Sequence, residues 1–442
     1  MEILSPGKKI KKIRKELKIN QREITGGEIT RELISIIEND KSTLTAPVAK
    51  IITDNINRIC KERKINFNLK VEYLLEDVQA QVNNIADKYI EFLCKNEENI
   101  SEDFTKKVEE IEVFFRKYDA PEKKMIIYEK IGDILRGEKE YSKSYIYYIK
   151  ALENHKGLDR DVRVVNVFQK LGGVCINLGN DNESLNFNSL ALKYDDIITE
   201  ELMYNLLYNN TLAYMHINNY DKALHEIEHI QNTFKVLNKE NIFEINILKA
   251  NCLRYKKFYN EVLELNVHML STLDKNKDIE KLILVTANIL DIYTVLKDLK
   301  NVRIYIDKLV YLLDSYDEVR ESFHCPNAYN QLGISYELIG NIELSIEAYK
   351  KSIELSKYQR NKRILIKSLD KLLDVLIKER NLEEINKYKN ELIEIISLDI
   401  IEVDTTPVFK LMNFYNDVDD RESLRGLLKF ILEYRKDGQE EK

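Results

Sequence analysis

The sequence predicts an all-α protein, a small N-terminal helical bundle followed by a long array of helix pairs. Three observations carry that prediction. The 442 residues include only 13 Gly and 5 Pro, so few breaks interrupt the helix-forming Leu, Ile, Lys and Glu. Apolar residues recur at three- and four-residue spacing along most of the chain. Beyond residue 105, a pattern of small and aromatic residues returns about every 40 positions.

Residues 1–70 make the head. Ile10, Ile13, Leu17 and Ile19 give a first helix its apolar face, ringed by Lys8, Lys9, Lys11, Lys12, Arg14 and Lys15. Asn20 caps a second helix that opens at Gln21, and Glu23 completes a capping box. Ile24 anchors this helix and Gly26-Gly27 ends it. Thr30 caps a third helix, in which Leu33, Ile34 and Ile37 pack inward and Arg31, Glu32 and Ser35 face out. A fourth helix starts near Thr45, with Pro47 in its first turn, where a missing N–H costs little.

Gln21, Ile24, Ile34-Ser35-Ile36-Ile37 and Glu38 resemble the Cro/repressor-type helix-turn-helix, with a turn one residue shorter than its commonest version. That form is similar to the one in the RRNPP group of peptide-sensing quorum regulators. Asp40 stands where Gly is usual, and Asp tolerates a left-handed backbone. The resemblance implies operator DNA as a partner. Gln21, Lys41 and the first-helix lysines would then hold phosphates, while Arg31, Glu32 and Ser35, beside the Thr30 cap, would read bases. It also implies a homodimer meeting half-sites about 34 Å apart or a multiple of that.

Charge agrees with this division. Residues 1–64 carry 15 Lys/Arg against 9 Asp/Glu, a net of +6, whereas the rest of the chain carries −13. Polyanion binding is therefore expected of the head alone. The five cysteines (Cys60, Cys94, Cys175, Cys252 and Cys325) form no CxxC pair, so buried thiols are expected, with no disulfide framework, metal site or cofactor. No apolar run approaches the roughly 20 residues of a membrane span. No signal peptide opens the chain, and a cytoplasmic location is expected.

A helical connector spans 71–105, the repeats 106–435, and an unstructured tail 436–442. The clearest repeats are Gly132 with Ser144 and Tyr148, Gly172 with Ser184, and Gly333 with Ser345 and Tyr349. A small residue in the first helix admits its partner, and a second small residue twelve positions on seats it. Aligning Gly132, Gly172, Thr211, Lys249, Leu290 and Gly333 gives spacings of 40, 39, 38, 41 and 43. Tyr141, Tyr220, Phe258, Leu299 and Ile342 then share one slot, and Tyr148, Ile227, Leu265, Ile306 and Tyr349 another. The array resembles tetratricopeptide repeats, with the fourth and fifth units degenerate, which implies a right-handed superhelical solenoid.

In such solenoids the first helix of each pair faces the inner wall. Counting from each aligned position places Asn166, Gln169, Asn205, Tyr208, Asn246, Arg254, Asn327 and Asn330 there. An Asn can donate to a peptide carbonyl and accept from the next N–H, so such a row holds an extended peptide. RRNPP regulators use Asn side chains in this way, so the resemblance implies a short signalling peptide as ligand. Each contact contributes about 0.5–1.5 kcal/mol, so apolar pockets must supply part of the affinity.

His225-Glu226-Ile227-Glu228-His229 matches the zincin string HExxH, but Ile227 and Ile230 are expected to point inward and both His outward, with no third ligand. No nucleophile elbow or P-loop stands in a strand-to-helix context, and no enzyme is expected. The expected function is transcriptional regulation switched by a peptide, which alters the repeats' pitch and so the freedom of two heads. The alternative is a repeat protein that sequesters or dephosphorylates a response regulator of a phosphorelay.

Overall fold

The structure, a computed structural model, describes residues 2–95, 101–155, 161–194, 196–234, 237–275, 277–318 and 321–440, for 435–440 in backbone only. They form 22 α-helices and one 3-10 turn, with no strand among the described residues. The chain divides into two compact units, Met1–Phe234 and Lys235–Lys442.

The first unit opens with α1 (Pro6–Glu16), a 3-10 turn (Glu23–Thr25), α2 (Arg31–Glu38), α3 (Ala46–Glu62) and α4 (Val71–Leu75). Most buried apolar side chains of this head are isoleucine: Ile10, Ile13, Ile19, Ile24, Ile34, Ile37, Ile52, Ile56 and Ile59. The Asn20 capping box forms as expected. The Asn20 carboxamide accepts from the Glu23 amide at 3.0 Å, and the Glu23 carboxylate accepts from the Asn20 amide at 2.7 Å. The element it opens is a single turn and not the helix expected from Gln21, because Gly26 and Gly27 take positive φ (58° and 82°) at once. Gly7 is the tightest point, since a Cβ there would lie 1.9 Å from the Ile37 carbonyl oxygen.

Beyond the head the chain runs as helical hairpins. They are α5 (Val78–Lys95) with α6 (Glu102–Lys117), α7 (Pro121–Gly137) with α8 (Tyr141–Glu153), α9 (Val162–Asn177) with α10 (Asp181–Leu192), and α11 (Glu200–His216) with α12 (Tyr220–Thr233). The second unit holds α13 (Lys239–Tyr255) with α14 (Tyr259–Thr272), α15 (Ile279–Leu296) with α16 (Leu299–Asp314), and α17 (Cys325–Leu338) with α18 (Ile342–Tyr358). It ends with α19 (Lys362–Lys378) and α20 (Leu382–Ser397), then α21 (Thr406–Asp417) and α22 (Arg421–Glu440). Residues 436–440, expected in an unstructured tail, continue α22, while 441–442 lie outside the described residues.

The small-residue rule has an atomic basis. A Cβ on Gly132 would come within 2.6 Å of the Tyr148 ring, and one on Gly333 within 2.5 Å of the Tyr349 ring. Ser144 donates to the Gly132 carbonyl and Ser345 to the Gly333 carbonyl, both at 2.8 Å. In the second repeat, Gly172 instead receives the buried Asn188. The fourth repeat requires a correction. Its second helix begins at Tyr259, so the residue nine positions earlier, buried Ala250, occupies the slot assigned to Lys249. The spacings become 40, 39, 39, 40 and 43, and Tyr259 and buried Asn266 replace Phe258 and Leu265 in the shared slots.

First helices also pack on the next first helix: α9 on α11 in one unit, and α15, α17, α19 and α21 in succession in the other. Each unit therefore presents its first helices as a wall.

Candidate functional site

In the head, α2 is set by a buried ion pair. Arg14 grips Glu38 through two parallel hydrogen bonds, at 2.7 and 3.0 Å, and Gln21 adds a third at 2.8 Å. Burial pushes the Glu38 carboxyl up, but the Arg14 and Gln21 hydrogen bonds outweigh it and hold the group below its ordinary range. Gln21, expected on phosphate, is thus engaged with Glu38, and its carbonyl also meets Arg31 at 3.5 Å. Thr30 caps α2 by accepting from the Leu33 amide at 3.2 Å.

Arg31 and Glu32 are exposed in the first turn of α2, Ser35 is half-buried one turn later, and Lys41 is exposed beyond the helix. Asp40 adopts φ 58°, the left-handed geometry expected of it. The first-helix lysines are less free than expected. Lys9 is buried and donates to the carbonyls of Tyr73 and Glu76 at 2.7 and 2.8 Å, while Lys12 pairs with Glu2. Nothing in the sequence distinguishes Lys9 from its neighbours. Gln81 of α5 makes a second tie, exchanging hydrogen bonds with the Leu4 amide and carbonyl at 3.3 and 2.8 Å.

On the wall of the first unit, Asn166 and Gln169 of α9 and Asn205 and Tyr208 of α11 are half-buried. The side-chain amides of Asn166, Gln169 and Asn205 have no protein partner among the described residues, and Tyr208 stacks on Tyr204 at 6.0 Å. Asn209, which repeat spacing alone does not single out, donates to the Gln169 carbonyl at 3.3 Å. Behind the wall, Asn188 donates to Asn210 at 2.9 Å.

On the second unit's wall, Arg254 pairs with Asp291. Asn327 is half-buried on α17, whereas Asn330 is fully buried and donates to Ser368 at 2.8 Å, so the scaffold uses that amide. Asn246 is half-buried, but the corrected register moves it off the aligned wall slots and puts Asn251 on them. Recognising α14's start at Tyr259 would have found it.

His225 and His229 are exposed on α12 while Ile227 and Ile230 are buried, as expected. No group of three possible metal ligands occurs among the described residues. Four cysteines are buried, and burial raises Cys175 to about 12 and Cys252 to about 11, which leaves them unreactive thiols; Cys94, expected buried, is exposed. No described helix is long and apolar enough to cross a membrane.

These hairpins, with a small helical head before them, define a tetratricopeptide-repeat-like helical fold. Among solved structures the chain is similar to apo RapI, at TM-score 0.53 and 14% identity over 84% of this chain and 98% of that one. It is also similar to the apo quorum sensor NprR from B. thuringiensis, at TM-score 0.51 and 16% identity, covering 81% of this chain and 100% of that one. A signal transduction ATPase with a tetratricopeptide repeat sensor from Pyrococcus horikoshii gives TM-score 0.50 and 14% identity, covering 98% of this chain and 72% of that one. No protein-family model and no curated protein matches the sequence.

Proposed function

We propose that this protein is a cytoplasmic, non-enzymatic transcriptional regulator that binds operator DNA as a homodimer and is switched by a short signalling peptide. The observation that carries the reading is a set of half-buried amides on first-helix walls, at Asn166, Gln169, Asn205 and Asn327, with no protein partner among the described residues. Amides held this way and left without partners suit an extended backbone that supplies both donors and acceptors. The head supports the DNA half of the reading. Arg31 and Glu32 are exposed in the first turn of a helix whose pose is fixed by the Arg14–Glu38 pair. The fold shared with the quorum sensor NprR agrees with it.

Peptide binding biases a two-state equilibrium of the repeats, and the bias passes to the head through the Gln81 tie of α5 to Leu4 and through the segment before α5, which Lys9 holds at Tyr73 and Glu76. A titration of peptides from the organism's own secreted pool, read by fluorescence anisotropy, tests the wall. Asn205→Ala should weaken binding by about two- to tenfold, the loss of one amide's hydrogen bonding. Unaltered affinity in both Asn166→Ala and Asn205→Ala would remove the wall from the account.

One observation favours a second reading. The second element of the head is a single turn, shorter than the helix a helix-turn-helix requires. A chain with no DNA affinity would act through its repeats on a protein partner, a response regulator of a phosphorelay. Phosphorelay flux altered by deletion of the gene, with promoter occupancy unchanged, would decide for it.

A further inference from the structure

Helix α19, on the first-helix wall of the second unit, carries five cations, Lys362, Arg363, Lys367, Lys371 and Lys378, against two carboxylates, Asp370 and Asp374. Lys410 of α21 is held by Asp370 and Asp374 of α19 at 2.8 and 2.7 Å, and Arg254 of α13 is held by Asp291 of α15. A parallel arrangement in the first unit, Lys170 against Glu129 and Asp133 at 2.6 and 2.8 Å, shows this as a structural tie between successive first helices. Those ties engage both carboxylates of α19 and Asp291 of α15. Of the cations of α19, Lys362 pairs with Glu402 and Lys378 ends the helix, while Arg363, Lys367 and Lys371 recur every fourth residue and so share one face. None of the three has a carboxylate at ion-pair distance among the described residues. Lys367 is open to solvent yet desolvated by the surrounding wall. That desolvation lowers its pKa, opposed by Asp291 and reinforced by its like-charged neighbours Arg254, Arg363 and Lys371.

Cations gathered on one helix face repel one another, and a bound anion would relieve that repulsion. Its position indicates which anion. Counting back nine from the start of α20 puts Lys367 six residues before its repeat's small-residue slot, and Asn327 holds the same place on α17, the adjoining first helix. We propose that the strip centred on Lys367, flanked by Arg363, Lys371 and Arg254, binds a carboxylate of the signalling peptide, which is therefore anionic at that point. The inference rests on the peptide-sensing reading above and deepens it. Adjacent helix axes lie about 8–10 Å apart and an extended peptide rises about 3.3 Å per residue. The carboxylate thus falls about three residues from the one whose backbone Asn327 holds. It is either an Asp or Glu side chain or the peptide's own C-terminus, since the strip recognises the group both share.

Two synthetic pools of random heptapeptides, one with free and one with amidated C-termini, test this. Each is incubated with the full-length protein and the retained peptides are identified by mass spectrometry. Retained sequences sharing an Asp or Glu in one register assign a side chain, and retention confined to the free-acid pool assigns the C-terminus. In either case the double substitution Arg363→Gln, Lys367→Gln should weaken binding of the retained peptides about tenfold, as expected for a lost charge-assisted contact. Both positions are exposed, so an unchanged thermal melt will show that the fold is intact. Neutral peptides retained equally from both pools, or acidic ones bound equally by the double variant, would overturn the inference and leave the peptide groove standing. No retention from either pool would remove both.

Discussion

Glu38 is the residue on which the geometry of the head turns. It is buried, and its charge is met by the Arg14 fork and the Gln21 amide. Removing one partner of such a pair leaves an uncompensated charge, so Arg14→Met should destabilise the head by roughly 3 kcal/mol. Hydrogen exchange of the α1–α3 amides will read this. The pH dependence has a definite sign. The folded Glu38 titrates below its ordinary value, so the stability it confers is full above the unfolded pKa and is lost as pH falls through the folded one. Protection of α2 should therefore fall selectively in that acid window in wild type, and the window should vanish in Glu38→Gln. Lys9 is the counterpart that no sequence pattern marks. Six cations crowd the first helix, and only the fold reveals which one meets two carbonyls and a carboxylate.

At the scale of the element, the repeat is held by a glycine in the first helix and an aromatic ring in the second. Gly333→Ala should drive its Cβ into the Tyr349 ring and cost about 1–3 kcal/mol, read as a lowered melting midpoint by circular dichroism. Adding Tyr349→Leu should recover part of that loss. No recovery would mean that the glycine matters for some reason other than space. The same pairing explains what could be read in advance. Gly132/Tyr148 and Gly333/Tyr349 stand out in the sequence because small and large side chains must alternate across that contact. The fourth repeat slipped by one position because its slots hold Ala250, Val262 and Asn266, buried residues too ordinary to mark them. The shortened second element of the head escaped for another reason. The glycines end it where the sequence places them, but the five residues between Asn20 and Gly26 are too few for an α-helix and close only a 3-10 turn.

At the scale of the molecule, the proposed regulation requires the head and the repeats to communicate, and within the first unit Lys9 ties α1 to the segment before α5 while Gln81 ties α5 to Leu4. Lys9→Met would leave the Tyr73 and Glu76 carbonyls without their donor, each costing about 1–3 kcal/mol. The account predicts faster exchange at 65–77 in that variant. It also predicts retained peptide affinity and a reduced effect of peptide on DNA binding; an undiminished effect would place the communication elsewhere. The all-helical repeat architecture was legible because periodicity and small-residue spacing are collective signals. The proposed peptide walls were only partly legible. Asn166, Asn205 and Asn327 remain available, but Asn330 is drawn into the scaffold by Ser368, a partner 38 residues away.

The most direct test is selection of duplex DNA from a random pool by the purified full-length protein at low ionic strength, with Arg31→Ala run in parallel. The account predicts enrichment of inverted repeats with half-site centres about 10–10.5 base pairs apart, or a multiple, and loss of that enrichment in the variant. A wild-type selection that yields no sequence above the starting pool would contradict it.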